Sequence, residues 1–143
     1  IGKRGVGLAR AQGYGSKFDK YMEWQRDHTL VIVQIEHIDA AEAIDDILEV
    51  EGLDGLCLGF NDLAGSMSLP GQTTHPKVIE VSERVVCRTR ETEKLMGISM
   101  GYDPIAVPKW IELGVQWISL GGDYSNLYSH SAKILNDTRA ITY

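Results

Sequence analysis

Leu30-Val31-Ile32-Val33-Gln34-Ile35-Glu36, with the segment from Asp39 to Gly52 behind it, is the stretch on which the fold turns. A β-branched run that ends in polar residues predicts a strand buried on both faces. Asp39, with Glu42 three positions on, reads as a capping-box start, and Ile44, Ile47 and Leu48 then share one helical face until Gly52 closes the helix. The same order of strand and helix recurs downstream. Gly55-Leu56-Cys57-Leu58-Gly59 reads as a second strand, and a Gly/Ser/Pro-rich loop from Ala64 to Thr74 leads to a helix opening at Pro76, with Val78, Val81 and Val85 toward the core. Leu95 to Met100 predicts a third strand, followed by the cap-and-proline pair Asp103-Pro104 and a helix that ends at Gly114. Pro108, inside that helix, is expected to kink or split it. Val115 to Leu120 makes a fourth strand, Gly121-Gly122 a turn, and Tyr124 to Leu135 a final helix.

Four strands, each followed by a helix, specify an α/β class with parallel strands and right-handed crossovers. The 143 residues suffice for half of an eight-unit (β/α)8 barrel, which typically needs about 250. They also fit an open doubly wound sheet, and periodicity alone does not choose between the two. No linker or charge block divides the sequence, so residues 1–143 read as a single domain.

The 14 basic and 20 acidic side chains give a net charge of −6, which disfavours nucleic acid as a partner. No apolar run reaches the roughly 18 residues of a membrane-spanning helix, so a membrane is not expected either. The opening Ile1-Gly2-Lys3-Arg4-Gly5 has neither an initiator Met nor an apolar signal core, and reads as a start inside a longer chain. Cys57 and Cys87 form neither a CxxC nor a zinc-ribbon spacing; they read as buried reduced thiols, which points to the cytoplasm.

Side chains at the carboxyl ends of such strands meet the ligand. Glu36 ends the first strand and Asp62 lies just past the second. An acid at the end of an apolar strand is costly unless paired, hydrated or bound to metal. Two converging carboxylates suit a hard divalent cation better than zinc; the alternative is that each caps the next helix or pairs with a Lys or Arg. Gln34 shares the face of Glu36 and can bond a ligand or serve as an interior amide, whereas His37 projects to the other side and reads as structural. The stretch Arg4-Gly5-Val6-Gly7 to Gly13-Tyr14-Gly15 can hold an anion on its amides and arginines, but it is not a dinucleotide fingerprint. No GxSxG elbow or Walker lysine occurs. Tyr14, Phe18, Tyr21 and Trp24 read as the packing face of a short helix.

With Arg4-Gly5-Val6-Gly7, Val33-Gln34-Ile35-Glu36, Asn61-Asp62-Leu63-Ala64, Met67 to Gly71, His75-Pro76 and Gly114 in order, the chain resembles the HpcH/HpaI aldolase family over essentially its whole length. These are metal-dependent 4-hydroxy-2-oxo-acid aldolases, with citrate-lyase β-type enzymes as more distant relatives. The resemblance implies a TIM (β/α)8 barrel of which these units are the last four, with the N-terminal half of the barrel missing. It implies Glu36 and Asp62 as ligands of a divalent ion (Mg²⁺, Mn²⁺ or Co²⁺) and Gln34 as the glutamine beside the substrate. The backbone around Asn61 and Asp62 would bind the carboxylate of a 2-oxo acid, and Ser99 would line the pocket. The pattern departs at Phe60, where a proline is commoner, and at Ala64, where a serine is commoner. By the same resemblance the chemistry is cleavage to pyruvate and an aldehyde, with the family's arginine and histidine-linked base outside this sequence. Homo-oligomers, commonly hexamers, are implied too, with Tyr124 to Leu135 as candidate interface. The alternatives are an acyl-CoA or citryl-type carbon–carbon lyase on the same barrel, or a non-catalytic fragment or assembly subunit.

Overall fold

The computed structural model describes residues 5–141; Arg4 of the glycine-rich opening lies outside them. The chain divides into two compact units, one running to Leu30 and one from Val31 onward.

In the first unit a 3-10 turn at Arg10–Gln12 ends at Gly13, whose φ of 59° is left-handed, and helix α1 follows over Phe18–His28. The Gln12 amide donates to the Gly7 carbonyl at 3.0 Å and so ties back the glycine-rich loop. Tyr21, Trp24 and His28 stack along α1, with ring centroids 6.2 and 4.7 Å apart. No residue of α1 is buried: of the expected packing face, Phe18 and Tyr21 are half-buried and Tyr14 and Trp24 exposed.

The second unit runs β1 (Ile32–Ile35), α2 (Ile38–Glu42), α3 (Ile44–Leu48), β2 (Gly55–Gly59), α4 (Phe60–Ser66), α5 (Pro76–Arg90), β3 (Leu95–Met100), α6 (Ala106–Leu113), β4 (Trp117–Leu120) and α7 (Asp123–Ile141). All strand pairings are parallel and the order is β1-β2-β3-β4, as four successive right-handed βα units require. The register aligns Ile35, Leu58, Ile98 and Ile118 in one row. Ile35, Leu56, Leu58, Met96 and Ile98 are at most 1% exposed and form the core with Val78, Val85 and Val86 of α5. The intervening residues form the opposite face, whose rows are Gln34, Cys57, Gly97, Trp117 and then Gly59, Ser99, Ser119.

Several local expectations are corrected. The first strand is not buried on both faces: Ile32 and Val33 are 39% and 37% exposed, because β1 is a sheet edge among the described residues. His37, not Asp39, caps α2, its Nδ1 accepting from the Asp39 amide at 3.2 Å. A helix, α4, begins straight after β2 and runs to Ser66, into the stretch read as a loop. Pro108 neither kinks nor splits α6, since it is that helix's third residue, where the amide has no intrahelical acceptor. The Asp103 carboxylate accepts from the Ile105 and Ala106 amides at 2.8 and 2.9 Å, but α6 opens at Ala106 with Ile105 before it, so Pro104 lies in the preceding turn and not at the first helical position. Cys57 and Cys87 are free, but Cys57 is only half-buried and Cys87 is exposed. Burial pushes the Cys57 thiol pKa up. Among the described residues no helix is long and apolar enough to cross a membrane.

Candidate functional site

The carboxyl ends of the four parallel strands lie on one side of the sheet, so whatever follows each strand gathers at a common rim. Gln34 and Glu36 are two apart and share a face; the pairing of Gln34 with Cys57 brings Glu36 level with Gly59. A Cβ on Gly59 would lie 2.5 Å from Gln34 Nε2 and 3.2 Å from Glu36 Cβ. Glycine at this strand end therefore makes the room in which both side chains lie.

β2 passes directly into α4, so Asn61 and Asp62 occupy the first turn of a helix that starts at the rim. Glu36, His37, Asn61, Asp62, Gly65 and Ser66 line one open cleft of about 590 Å³. Ser99, level with Gly59 on β3, lies in an adjoining cleft with Met100, Tyr102 and again Asn61. Phe60 and Trp110 also line that second cleft and pack at 5.2 Å, tilted by 51°. Phe60, the departure from the resemblance, is thus buried against α6. The structure brings Glu36, Asp62 and Asn61 to one cleft, lays Gln34 against Gly59 beside them, and sets Ser99 in the neighbouring cleft with Asn61 as the shared wall.

The donor chemistry fits a hard cation. Among the described residues the ion pairs are His37–Asp39, Arg84–Glu42, Arg88 with Asp45 and Glu91, and Lys133–Asp137. Glu36 and Asp62 are in none of them, so no Lys or Arg among the described residues pairs with either. His37 spends its Nδ1 on the α2 cap. No cluster of three or more His, Cys, Asp or Glu occurs among the described residues. The protein side of such a site is therefore two carboxylates, and further oxygens must come from an amide, water or ligand, a mixture typical of Mg²⁺ sites.

Three features escaped the sequence. Gly59 read as part of an apolar strand, although a strand-end glycine opposite Gln34 and Glu36 signals close approach. Ser66 fell in the stretch read as a loop. Trp117 lies across Gly97 on the opposite face, its indole N–H buried and without an acceptor among the described residues.

Residues 3–127 match the family model described as HpcH/HpaI aldolase/citrate lyase. The chain is 36% identical over 125 residues to a 2-keto-3-deoxy-L-rhamnonate aldolase of Salmonella paratyphi B, covering 86% of this chain and 46% of that one. Among solved structures, an HpcH/HpaI aldolase/citrate lyase family protein from Burkholderia cenocepacia superposes with a TM-score of 0.83 at 30% identity, covering 96% of this chain and 53% of that one. A citrate synthase, SbnG, superposes with a TM-score of 0.78 at 30% identity over 87% of this chain and 51% of that one. The chain spans about half the length of the relatives it matches, and its four βα units make up half of a TIM-like barrel. Fold, rim and sequence agree, and the chain belongs to the HpcH/HpaI aldolase/citrate lyase family.

Proposed function

We propose that this chain carries the metal-holding part of a class II aldolase that cleaves 4-hydroxy-2-oxo acids to pyruvate and an aldehyde. The observation that carries the reading is the cleft shared by two carboxylates, Glu36 and Asp62, that have no cationic partner among the described residues. In cleavage the C4 hydroxyl loses its proton, the C3–C4 bond breaks with its electron pair moving toward C3 and the 2-oxo oxygen, the aldehyde leaves, and C3 regains a proton. A divalent cation, when bound, supplies Lewis-acid stabilisation of the charge on that oxygen. Glu36 and Asp62 hold the cation, and Gln34 orients the oxo acid from beside Glu36. The amides at Asn61 and Asp62, in the unsatisfied first turn of α4, receive the substrate carboxylate, and Ser99 bounds the neighbouring space. Proton transfer is assigned to no residue of this chain; it belongs to the complementary half of the barrel. The relatives' names favour the same chemistry, carbon–carbon cleavage of keto acids.

The test is divalent-metal-dependent pyruvate release by the complete protein, with Mn²⁺ binding read separately. Glu36→Gln and Asp62→Asn are each expected to weaken Mn²⁺ binding on the order of a hundredfold and to abolish pyruvate release. Unchanged affinity and turnover in both variants would refute the assignment. A second reading, a citryl- or acyl-CoA-type lyase, is favoured by the citrate-lyase half of the family description and by the likeness to a citrate synthase; faster turnover of thioesters than of free hydroxy-oxo acids selects it. The working protein is proposed to be a homo-oligomer, since α7 exposes Tyr124, Leu127 and Tyr128.

A further inference from the structure

We propose that Ser66 is a positioning residue that fixes Glu36 and Asp62 at the separation at which both reach one cation, an inference that rests on the metal-holding reading above. Its hydroxyl makes two bonds. It accepts from the backbone amide of Ile38 at 2.9 Å and donates to the carbonyl of Leu63 at 2.7 Å. The first bond crosses 28 positions to the opening residue of α2, two past Glu36; the second ends on the residue after Asp62. One hydroxyl thus joins the two backbone segments that carry the carboxylates.

The local structure explains why the joint is needed. Glu36 and His37 lie between the last paired residue of β1, Ile35, and the start of α2. The pairing of Ile35 with Leu58 anchors one end of that short segment. The Ile38 amide, at the other end, is among the first four of α2 and has no acceptor within the helix. His37 satisfies the neighbouring Asp39 amide from the same segment, so among the described residues the hydrogen bond that ties the segment to α4 is the one to Ser66. Asp62 rides on α4, whose last residue is Ser66. Ser66 is the one hydroxyl in the α4 sequence Phe60–Ser66, and it lines the cleft that both carboxylates face. Ala64, two residues earlier, is fully buried in the core and offers no polar atom in its place. A cation with a strict oxygen distance is sensitive to sub-ångström changes in the spacing of its ligands, whereas loss of these two partly buried hydrogen bonds leaves the core rows untouched.

The complete protein is compared with Ser66→Ala and Ser66→Thr by Mn²⁺ titration, by hydrogen exchange at the Ile38 amide and by thermal melting. Ser66→Ala is expected to bind Mn²⁺ about tenfold more weakly, the scale of lost outer-shell support for a metal ligand, and to exchange Ile38 faster, with the melting transition little moved. Ser66→Thr, which keeps the hydroxyl, is expected to restore both readouts. The proposal is overturned if Ser66→Ala binds Mn²⁺ as the parent does, if Ser66→Thr loses as much affinity as Ser66→Ala, or if Ser66→Ala loses its fold. A parent protein that binds no Mn²⁺ overturns the metal-holding reading itself, an outcome distinct from a parent that binds and a Ser66→Ala variant that binds equally well.

Discussion

Gly59 is the residue at which the candidate site is most sensitive to a single atom. A methyl there would meet the far end of the Gln34 side chain, at 2.5 Å from Nε2, before it met any backbone. The amide is flexible, so Gly59→Ala is expected to displace Gln34 and press on Glu36 Cβ rather than to unfold the sheet. Misplacement of a site group by about an ångström can cost up to about a hundredfold in rate. We therefore expect kcat/KM of the complete protein to fall by about ten- to a hundredfold in Gly59→Ala, with a change in melting temperature of only a few degrees. A normal rate with a large loss of stability would show that the glycine serves packing alone. The pair Gln34 and Glu36 was legible because a period of two on a strand fixes which side chains share a face. Gly59 and Ser66 were not, because what they touch lies on other elements.

At the scale of the element, α6 shows how a helix start is written in its first residues. Hydrogen bonds from the Ala106 and Ile105 amides hold the Asp103 carboxyl below the usual carboxylate range. A group whose pKa is lowered on folding contributes stability above its unfolded value and loses it as pH falls through the folded one. Asp103→Ala is accordingly expected to lower the melting temperature by a few degrees at neutral pH, with the gap to the parent closing in acid. Asp103→Asn, which keeps an acceptor, should melt close to the parent at neutral pH. Thermal melts across pH check both, and a gap that widens in acid would contradict the cap. Pro108 belongs to the same lesson: it breaks helices from within, but here the helix starts at Ala106, so the proline falls in the first turn. That start was misjudged from sequence because Asp103 spans a two-residue turn before α6 begins.

The second unit has a sheet whose helices cover the Ile35–Leu58–Ile98 face, and among the described residues its β1 is an edge at which Ile32 and Val33 are exposed. An exposed edge rich in β-branched residues pairs with other strands. The 143-residue chain by itself is expected to self-associate, and Val33→Lys to weaken that association about tenfold or more in sedimentation velocity. Equal association by both would remove β1 as the contact. The aldolase relative is about twice as long as this chain.

The sequence by itself determined the α/β class, the number and order of the βα units, the helix end at Gly114, and the two acids at strand ends. Each of these is local: periodicity, capping and chain reversal act over a few residues, and physical chemistry reads them from spacing. Only the tertiary structure decided that β1 is an edge among the described residues, that His37 spends its ring on a helix cap, that Asp62 sits in the first turn of a helix, and that one serine hydroxyl ties the two acidic segments together. Those facts depend on which surfaces meet after strands 20 to 40 residues apart have paired, and the contact of Ser66 with Ile38 has no signature in the residues near either of them.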